Sequence, residues 1–391
     1  MNIVIVGGGF GGVKSALELA KKKTNQITLI SSTPYFQYYP ALYSTATGHS
    51  YKESWVSLTK IFKKCSNIRL VQNTIMKIIP DEMVVSGSTG KLYKYDELIL
   101  SLGSVTTYFG IEGLDTYAYG IKSEQEIRAL QKHLIDEMSD GSDDEKNYVI
   151  IGAGPTGVEL AGALGDYLTV LRKKYKVSNQ KLPGISLVEA APRVLPRMSE
   201  KASEIALARL QKLGINVELG KKVERETADA LIVDGKPLAS HTVIWTSGVA
   251  NAPFYKANGE DFTLNERSKV VVDEFMQARP HVYVIGDNAA TPYAGLAQTA
   301  LHDAQFVARR LSNKNGKAYK AVLPSSVVPI GHGWALFERK KILFGGWMGN
   351  LLRNAADVIG YHDVLPIGWA LGTWKAGKKR QVVIPENVLE N

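Results

Sequence analysis

The residues that decide the fold are NIVIVGGGFGG, at positions 2–12. A short, apolar, β-branched run opens this stretch and predicts a buried strand, and the pattern VKSALELAKK that follows predicts a helix. Between the two, Gly7, Gly9 and Gly12 have the spacing G-x-G-x-x-G. Such glycines allow a tight turn, a close approach of backbone to a pyrophosphate, and close packing of helix on strand. Alone the motif is weak, because glycine-rich turns after strands are common.

The sequence repeats this arrangement once. YVIIGAGPTGVELAG, at residues 148–162, has the same glycine spacing after the same kind of strand. A second pair of similar stretches, LILSLGS at 98–104 and VIWTSGV at 243–249, is separated by the same interval as the two glycine sets. Two independent features that share one interval predict two copies of one nucleotide-binding unit.

A third stretch returns the chain to the first copy. HVYVIGD, at 281–287, predicts a buried strand whose final carboxylate points out of the carboxyl end of a sheet, where ligands bind in such folds. The alternative is that Gly286 and Asp287 form an ordinary turn. We predict an α/β fold of two Rossmann-like dinucleotide-binding domains, the second inserted into a discontinuous first domain. The predicted boundaries are 1–113 and 249–325 for the two parts of the first domain, 114–248 for the second domain, and 326–391 for a small C-terminal segment.

The two copies differ at the end of their second strand, where such folds usually place an acid for the ribose. The first copy has Ser31 and Ser32 there, whereas the second has Glu189. A carboxylate accepts hydrogen bonds from the ribose hydroxyls and repels a 2′-phosphate, so the second copy is predicted to prefer NAD over NADP. Arg193 is expected to weaken that preference, because a nearby arginine can bind the 2′-phosphate of NADP. The alternative is that Glu189 simply ends a surface strand.

Composition narrows the choice of function. The 47 Lys and Arg residues against 38 Asp and Glu give a formal charge of +9 and favour an anionic partner such as a nucleotide, a nucleic acid or an acidic membrane surface. The basic runs are scattered, whereas a nucleic-acid site needs its charges on one face, so no nucleic acid is expected as a partner. Cys65 is the only cysteine, which excludes an intrachain disulfide or a redox dithiol, and no metal site is expected.

Hydropathy and the first residues predict the location. The chain enters a core strand by Ile3, which leaves no room for a signal peptide. No apolar run approaches the ~18–20 residues of a membrane-spanning helix, and a lone cysteine fits a reducing compartment. We therefore expect an intracellular protein that does not cross the bilayer.

The chain resembles the two-dinucleotide-binding flavoprotein reductases and, within them, the type II NADH dehydrogenases (NADH:quinone oxidoreductases). The resemblance covers almost the whole length and rests on GGGFGG, FQYYPALYSTATG at 36–48, LILSLGS, GAGPTGVELAG, LVEAAPRVLP, WTSGV, VIGDNAA and AQTALH. It implies FAD in the first copy and NADH in the second. The implied contacts to FAD are Gly7, Gly9, Phe10, Gly11, Gly12, Ser31, Ser32, Gly103, Gly286, Asp287 and Ala297, and those to NADH are Gly152, Gly154, Pro155, Thr156, Gly157, Glu189, Ser247 and Gly248.

The first copy lacks the acidic residue that usually binds the ribose, but FAD is still expected to bind there. One lost carboxylate removes about 1–3 kcal/mol of charge-assisted hydrogen bonding, and FAD is held at many other points. The hydroxyl of Ser31 or Ser32 remains able to reach the ribose. We predict that FAD stays bound.

The resemblance also implies a quinone acceptor, of the menaquinone or ubiquinone type. The family signature A-Q-x-A-x-Q is matched at Ala297 and Gln298, but His302 replaces its second glutamine. Residues at i and i+4 share one helix face, so Gln298 and His302 are predicted to line one acceptor pocket as catalytic residues. The alternative is that His302 lies on the helix surface and Gln298 only touches the flavin. Tyr39 stands where relatives have glutamine, which alters the pocket.

The resemblance places Glu159 near the contact of nicotinamide and flavin, where it orients the nicotinamide or handles a proton. The alternative is that this carboxylate only complements the dipole at the start of its helix. The two interpretations are left open.

The C-terminal segment is rich in tryptophan and basic residues. Trp334, Trp347, Trp369 and Trp374 alternate with lysines and with arginines that include Arg353, on two short helices predicted to break at Pro366. This composition predicts weak, salt-sensitive binding to a membrane surface. The alternatives are that the aromatic residues pack on the FAD domain or form the contact of a homodimer.

The resulting hypothesis is a flavoprotein that oxidises NADH and reduces a quinone at the cytoplasmic face of the membrane, without pumping protons. A soluble diaphorase or electron-carrier reductase is the nearest alternative. A regulatory or nucleic-acid-binding flavoprotein is a further alternative, and the scattered basic runs argue against it.

Overall fold

The computed structural model describes residues 1–139, 146–177, 184–240, 242–313, 317–380, 382, 384 and 385. The strands are β1 Asn2–Val6, β2 Gln26–Ser31, β3 Tyr35–Gln37, β4 Trp55–Ser57, β5 Ile68–Gln72, β6 Ile75–Ile79, β7 Val84–Gly87, β8 Leu92–Lys94, β9 Glu97–Leu100, β10 Ser104–Thr106, β11 Asn147–Ile151, β12 Gly184–Glu189, β13 Asn216–Leu219, β14 Val223–Glu226, β15 Ala230–Val233, β16 Lys236–Ala239, β17 Thr242–Trp245, β18 Val249–Asn251, β19 Gln277–Arg279, β20 Val282–Val284, β21 Ser326–Pro329, β22 Ala335–Arg339 and β23 Ile342–Gly346. The α-helices are α1 Phe10–Leu19, α2 Leu42–Ala46, α3 Tyr51–Ser54, α4 Leu58–Ile61, α5 Leu114–Tyr117, α6 Glu124–Ser139, α7 Pro155–Tyr175, α8 Glu200–Lys212, α9 Pro253–Ala257, α10 Ala297–Asn313, α11 Trp347–His362 and α12 Ile367–Ala376.

The first sheet is built from both halves of the chain. Its strand order is β19-β20-β9-β1-β2-β5, and all neighbours are parallel except the edge strand β19. Strands β19 and β20 come from the part of the chain that follows the second sheet, so the first domain is discontinuous as predicted. The four ranges drawn from the sequence stay a prediction.

The second sheet repeats the central part of the first. Its order is β13-β12-β11-β17, with every neighbouring pair parallel. Strand β11 lies between β12 and β17 as β1 lies between β2 and β9. Two Rossmann-like parallel cores within one α/β chain confirm the predicted fold class.

The two glycine turns that follow β1 and β11 have the same geometry. Gly7 and Gly152 have φ of +115° and +101°, which only glycine adopts without strain. A Cβ on Gly12 would lie 1.9 Å from the carbonyl oxygen of Gly7, and one on Gly157 would lie 1.8 Å from that of Gly152. Each helix is therefore packed directly on its turn, which fixes where the helix begins.

The segment between Gly157 and Glu189 is longer than usual because helix α7 is long. Helix α7 runs over 21 residues, from Pro155 to Tyr175, and its buried face packs into the second core. The length of α7 thus accounts for the distance along the chain between the second glycine turn and the end of β12.

A buried carboxylate anchors the turn after β20. Asp303 of α10 has no exposed surface, and its Oδ2 accepts a hydrogen bond from the backbone N–H of Gly286 at 3.0 Å. Its Oδ1 accepts a hydrogen bond from the hydroxyl of Tyr319 at 2.7 Å. Asp303 therefore holds the turn that carries Asp287 against the start of α10.

The C-terminal segment contains the antiparallel sheet β21-β22-β23 and helices α11 and α12. Pro366 is the N-cap of α12 and separates the two helices, as predicted. On α11, Arg353, Asp357 and Tyr361 are spaced at i, i+4 and i+8 and form a stripe that faces the rest of the protein. Helix α11 is therefore docked on the dinucleotide domains along a polar stripe.

Side chains added at two glycines of the second turn are expected to have different effects on the stability of the apoprotein. In Gly157→Ala the new Cβ meets the carbonyl of Gly152, so α7 must shift at a cost of about 1–3 kcal/mol in the free energy of unfolding. In Gly154→Ser the new Cβ meets no heavy atom within 4 Å and the hydroxyl can cap α7, so the stability of the apoprotein is expected to stay or rise. Urea denaturation of both apoproteins measures the difference, and an equal loss in both would contradict the packing role of Gly157.

Candidate active site

One large cavity lies at the carboxyl ends of both parallel sheets. Its volume is ≈ 1860 Å³, and residues of both glycine-turn domains line it. From the first copy it is lined by Gly7, Gly9, Phe10, Gly11, Ser31, Ser32, Gly103, Gly286, Asp287 and Ala297. From the second copy it is lined by Thr156, Glu159, Ser247 and Gly248. Predicted contacts to two different dinucleotides thus share one space.

The other predicted site residues lie outside that space. They are Gly12, Gly152, Gly154, Pro155, Gly157, Glu189, Gln298 and His302. Gly12 and Gly157 are packed behind the turns, whereas Gly154 faces open space. The start of α7 is more exposed than that of α1, because Pro155 and Thr156 are exposed whereas Phe10 and Gly11 are buried.

Helices α1 and α7 begin without a capping side chain. Their N-cap residues are Gly9 and Gly154, and neither makes a side-chain cap hydrogen bond. No acidic residue lies in the first turn of either helix. The free N–H groups and the positive end of each helix are therefore available to a phosphate group.

The end of β2 is closely packed against the first turn. The Oγ of Ser31 lies 2.5 Å from the position that a Cβ on Gly8 would occupy, and it accepts a hydrogen bond from the N–H of Thr33 at 3.3 Å. Its hydrogen remains free to donate, and Ser31 and Ser32 both line the cavity. A ribose there would meet two hydroxyl groups and no carboxylate.

Two hydrogen bonds in series connect Asp287 to Lys122, which lies just before helix α6. The hydroxyl of Ser104 donates to Oδ2 of Asp287 at 2.8 Å, and the ammonium of Lys122 donates to Oγ of Ser104 at 3.0 Å. Burial lowers the pKa of Lys122 to about 8, although the charge of Asp287 opposes that shift. Ser104 and Lys122 were not predicted as site residues, because nothing in the sequence around them indicates such a role.

The amide of Asn288 ties the two strand ends of the first sheet together. Its Oδ1 accepts from the N–H of Gly103 at 3.0 Å, and its Nδ2 donates to the carbonyl of Gly103 at 2.6 Å. Asn288 was also missed, although its place directly after Gly286-Asp287 was a usable signal. It fixes the cavity wall where Asp287 projects.

Glu189 lies at the carboxyl end of β12 and holds the second turn. Its Oε2 accepts from the N–H of Ala153 at 2.6 Å, and its Oε1 accepts from the N–H of Ala191 at 2.8 Å. Arg193 donates to the carbonyls of Pro196 and Met198 and to Oγ of Ser203. The guanidinium of Arg193 is therefore engaged by the 196–203 segment in this conformation, and its influence on nucleotide preference stays a prediction.

Glu159 forms an ion pair with the C-terminal segment. Arg353 of α11 places Nη1 3.2 Å from Oε1 of Glu159, and each side chain is only 11% exposed. The same guanidinium is 3.1 Å from Asp357 and donates to the carbonyl of Pro40 at 2.7 Å. Burial raises the pKa of Glu159 to about 7, although Arg353 opposes the shift. The prediction that Arg353 belongs to the basic residues facing the membrane is wrong, because its side chain is buried against Glu159.

Gln298 and His302 lie on one face of α10, but that face is turned away from the cavity. The side chain of Gln298 donates to the carbonyl of Ser325 at 3.0 Å and accepts from its N–H at 3.1 Å. The Nε2 of His302 lies 2.9 Å from the carbonyl oxygen of Lys320. Both side chains therefore fasten the 320–325 segment in this conformation, and their role toward an acceptor stays a prediction.

The aromatic residues of the C-terminal segment are divided between interior and surface. Trp369 and Trp374 pack against the first core, and Trp334 packs against the second. Trp347 is 72% exposed. Within the described ranges, no helix is both long and apolar enough to span a membrane.

Comparison with known proteins identifies the class that this fold and cavity define. A family model described as pyridine nucleotide-disulphide oxidoreductase matches residues 1–304, so the chain belongs to that class. Within the class, a type II NADH:quinone oxidoreductase of Mycobacterium tuberculosis is 31% identical over 98% of this chain and 90% of its own length. One of Staphylococcus aureus is 29% identical over 79% of this chain and 81% of its own length. The chain belongs to the type II NADH:quinone oxidoreductase family, as its motifs predicted.

Solved structures show the same fold. The structure of NDH2 from Plasmodium falciparum in complex with NADH has a TM-score of 0.86 at 19% identity, and the match covers 98% of this chain and 99% of that one. The sulfide:quinone oxidoreductase of Aquifex aeolicus has a TM-score of 0.79 at 19% identity, over 96% of this chain and 92% of its own. At these identities the likeness concerns the fold alone.

The pyridine nucleotide-disulphide oxidoreductases depend on FAD, and the cofactor prediction of FAD and NADH is confirmed by membership of the family. The first turn fits FAD, because Gly9 leaves open space in front of the uncapped start of α1 and Asp287 lines the same cavity. Despite the name of the class, this chain has one cysteine and therefore no redox disulfide. Electrons that reach the FAD must leave it for an external acceptor.

Removal of the positive charge of Arg353 is expected to raise the pKa of Glu159. Arg353→Gln removes the cation that lowers the pKa of Glu159 and leaves the raising influence of Asp357, so the pKa should move above about 7. A carboxyl whose folded pKa exceeds its unfolded value loses stability as the pH rises between those two values. The loss should extend from about pH 4.5 to about 7 in the wild type and to a higher pH in the variant.

The pH dependence of the Glu159 carboxyl band in infrared difference spectra, assigned with Glu159→Gln, measures that pKa directly. Arg353→Lys keeps the positive charge and is the matched control. An unchanged or lower pKa in Arg353→Gln would show that the ion pair does not govern the titration of Glu159.

Proposed function

We propose that this chain oxidises NADH at a bound FAD and reduces a membrane quinone of the menaquinone or ubiquinone type, without moving protons across the bilayer. The observation that carries the proposal is the single cavity in which Asp287 of the first copy and Glu159 of the second line one continuous space. Family membership supports the reaction class, since relatives are named for NADH and quinone.

The residues of the first copy are suited to hold FAD. The free N–H groups at the start of α1 face its pyrophosphate, Ser31 and Ser32 offer hydroxyls to its ribose, and Asp287 is available to its ribityl chain. The bound FAD supplies the acceptance of hydride from NADH and the release of electrons to the acceptor. The protein contributes position, because hydride transfer requires its two reacting atoms to be held close together.

The residues of the second copy are suited to hold NADH and to direct its nicotinamide into the cavity. Glu189 lies at the strand end where the ribose is expected, and α7 directs its uncapped start at the pyrophosphate. The backbone of Thr246 is fixed by a hydrogen bond from its N–H to the carbonyl of Ile151 at 3.0 Å, and Ser247 and Gly248 continue along the cavity wall. Glu159, with a pKa raised to about 7 mainly by burial, can carry a proton or orient the carboxamide near neutral pH.

Helix α11 supports a peripheral position on the membrane. Its outward face exposes Trp347 (72%), Leu351 (61%) and Ile359 (64%), opposite the stripe that carries Arg353. Exposed lysines, including Lys375, Lys378 and Lys379, lie on or directly after the neighbouring helix α12. An apolar face with a basic border is the surface that binds at a lipid interface, and quinones are dissolved in the lipid. We place the enzyme on the cytoplasmic face of the membrane, with a homodimer contact as the competing use of this surface.

Anaerobic stopped-flow mixing tests the reaction. NADH should bleach the flavin absorbance, and a menaquinone or ubiquinone analogue should restore it within one turnover. Reoxidation by water-soluble carriers at the same rate, with no effect of lipid, would instead indicate a soluble diaphorase. Slow NADH oxidation with every acceptor would contradict the proposal.

Substitutions that place charges on α11 test whether its exposed apolar face binds the membrane. Leu351→Glu combined with Ile359→Glu should weaken co-sedimentation with anionic vesicles at low salt at least about tenfold, because two apolar side chains no longer enter the lipid. Leu92→Glu is the matched control, since Leu92 is also 56% exposed but lies far along the chain in β8. Failure of the wild type to co-sediment, or equal loss in the control, would contradict this surface assignment.

A further inference from the structure

The side chain of Tyr39 lines the large cavity, directly after a tyrosine that is buried. Tyr39 is 44% exposed, whereas the preceding Tyr38 is only 3% exposed. Burial among the surrounding protein groups raises the pKa of the Tyr39 phenol to about 12, and the charges of Asp287 and Glu126 raise it further. The exposed part of Tyr39 therefore faces the cavity rather than the outer surface, and the phenol keeps its proton near neutral pH.

Helix α11 fixes the backbone on both sides of Tyr39. On one side, the ring of Tyr38 stacks on the ring of Tyr361, with 4.1 Å between the two centroids. On the other side, Nη2 of Arg353 donates a hydrogen bond to the carbonyl oxygen of Pro40 at 2.7 Å. Both contacts come from the face of α11 that is docked on the dinucleotide domains. The C-terminal segment thus holds Tyr39 at the wall of the cavity.

The hydroxyl group of Tyr39 has no hydrogen-bond partner among the residues that the structure describes. Two polar side chains that line the same cavity are already engaged. Nε2 of Gln37 donates to the carbonyl oxygen of Lys122 at 2.6 Å, and the ammonium of Lys122 donates to Oγ of Ser104. A phenol is both a donor and an acceptor, so the hydroxyl of Tyr39 is free to bind a ligand that enters the cavity.

The side chains predicted from the sequence to line the acceptor pocket are turned away from this space. Gln298 and His302 are hydrogen-bonded to the 320–325 segment, and neither lines the large cavity. A quinone has two carbonyl oxygens and no hydrogen-bond donor of its own, so its recognition depends on donors from the protein. Each oxygen gains negative charge as electrons arrive, and a donor already in place there stabilises that charge.

The nicotinamide is expected to reach the cavity from the other domain. Thr156, Ser247 and Gly248 line the cavity from the second domain, which is suited to NADH. Tyr39 lines it from the first domain, on a segment that α11 holds in place. Helix α11 is also the element through which the protein is proposed to meet the lipid, where quinones are dissolved. The position of Tyr39 therefore fits the acceptor better than the nicotinamide.

We propose that Tyr39 is the hydrogen-bond donor that binds and orients a carbonyl oxygen of the quinone in the large cavity. The phenol keeps its proton during the reaction, so no bond to hydrogen is made or broken at Tyr39. Its contribution is to hold the acceptor in place and to stabilise the negative charge that develops on the oxygen. This proposal rests on the proposed function.

Tyr39→Phe tests the assignment, because it removes the hydroxyl group and keeps the ring. Flavin reduction by NADH and reoxidation by ferricyanide need no such donor and should stay within about twofold of wild type. The kcat/KM for menadione should fall on the order of tenfold to a hundredfold, the effect of losing a hydrogen bond to an oxygen that gains charge. Tyr39→Gln supplies an amide donor and should recover part of that loss.

Tyr293→Phe is the matched control. Tyr293 is also 44% exposed and also lines the large cavity, but it lies on the loop before α10, close to Arg197 of the second domain. Removal of its hydroxyl group should leave the kcat/KM for menadione within about twofold of wild type. An equal loss in Tyr39→Phe and Tyr293→Phe would overturn the specific role of Tyr39.

Infrared difference spectra follow the contact without turnover. Menadione labelled with carbon-13 at its carbonyl groups is added to the oxidised holoenzyme in the absence of NADH. A hydrogen bond lowers the stretching frequency of a quinone carbonyl, so the wild type should show a lowered band and Tyr39→Phe should lose that shift. The Kd of menadione should rise about two- to tenfold in Tyr39→Phe, less than kcat/KM falls, because the oxygen is neutral before electrons arrive.

An unchanged kcat/KM together with an unchanged carbonyl band in Tyr39→Phe would overturn the proposal. Slower flavin reduction by NADH, with normal reoxidation by menadione, would also overturn it and assign Tyr39 to the nicotinamide. If the wild type is not reoxidised by menadione but shows the lowered band that Tyr39→Phe lacks, the proposed function fails and the contact of Tyr39 stands. If menadione does not bind at all, both fail.

Discussion

The contact on which the structure depends is the close approach of two glycines within each nucleotide turn. The carbonyl of Gly7 lies where a side chain of Gly12 would be, and Gly152 and Gly157 repeat the contact. Each contact fixes the first turn of a helix against the end of a strand, with its free N–H groups directed out of the sheet. Because both sheets present this edge to the same cavity, two phosphate-bearing ligands are brought toward each other. A side chain at Gly12 or at Gly157 would push the helix away from the strand.

The ion pair of Glu159 and Arg353 joins that cavity to the C-terminal helix. One face of α11 provides the cation for a carboxyl group at the site, while the opposite face exposes Trp347, Leu351 and Ile359. A buried ion pair adds little net stability, because desolvation offsets attraction, but it fixes which groups face each other. The surface proposed to bind lipid and the carboxyl proposed to carry protons are therefore positioned by one rigid element.

Local patterns in the sequence predicted the features that depend on local chemistry. Glycine spacing predicted both turns, and Pro366 predicted the break between α11 and α12. Features that depend on distant contacts were not predictable. The buried partner of Arg353 is 194 residues away, and its local sequence resembles that of an exposed basic residue. The i, i+4 rule correctly placed Gln298 and His302 on one face, but which segment covers that face is decided by tertiary packing.

The central claim is that one chain brings FAD and NADH together and has no other redox centre. An anaerobic titration of the purified holoenzyme with NADH, followed by flavin absorbance, tests it most directly. Because no cysteine pair is present to store electrons, complete bleaching by a single equivalent of NADH per FAD is the predicted result. A flavin that stays oxidised with excess NADH, or one that needs a second equivalent for full bleaching, would contradict the claim.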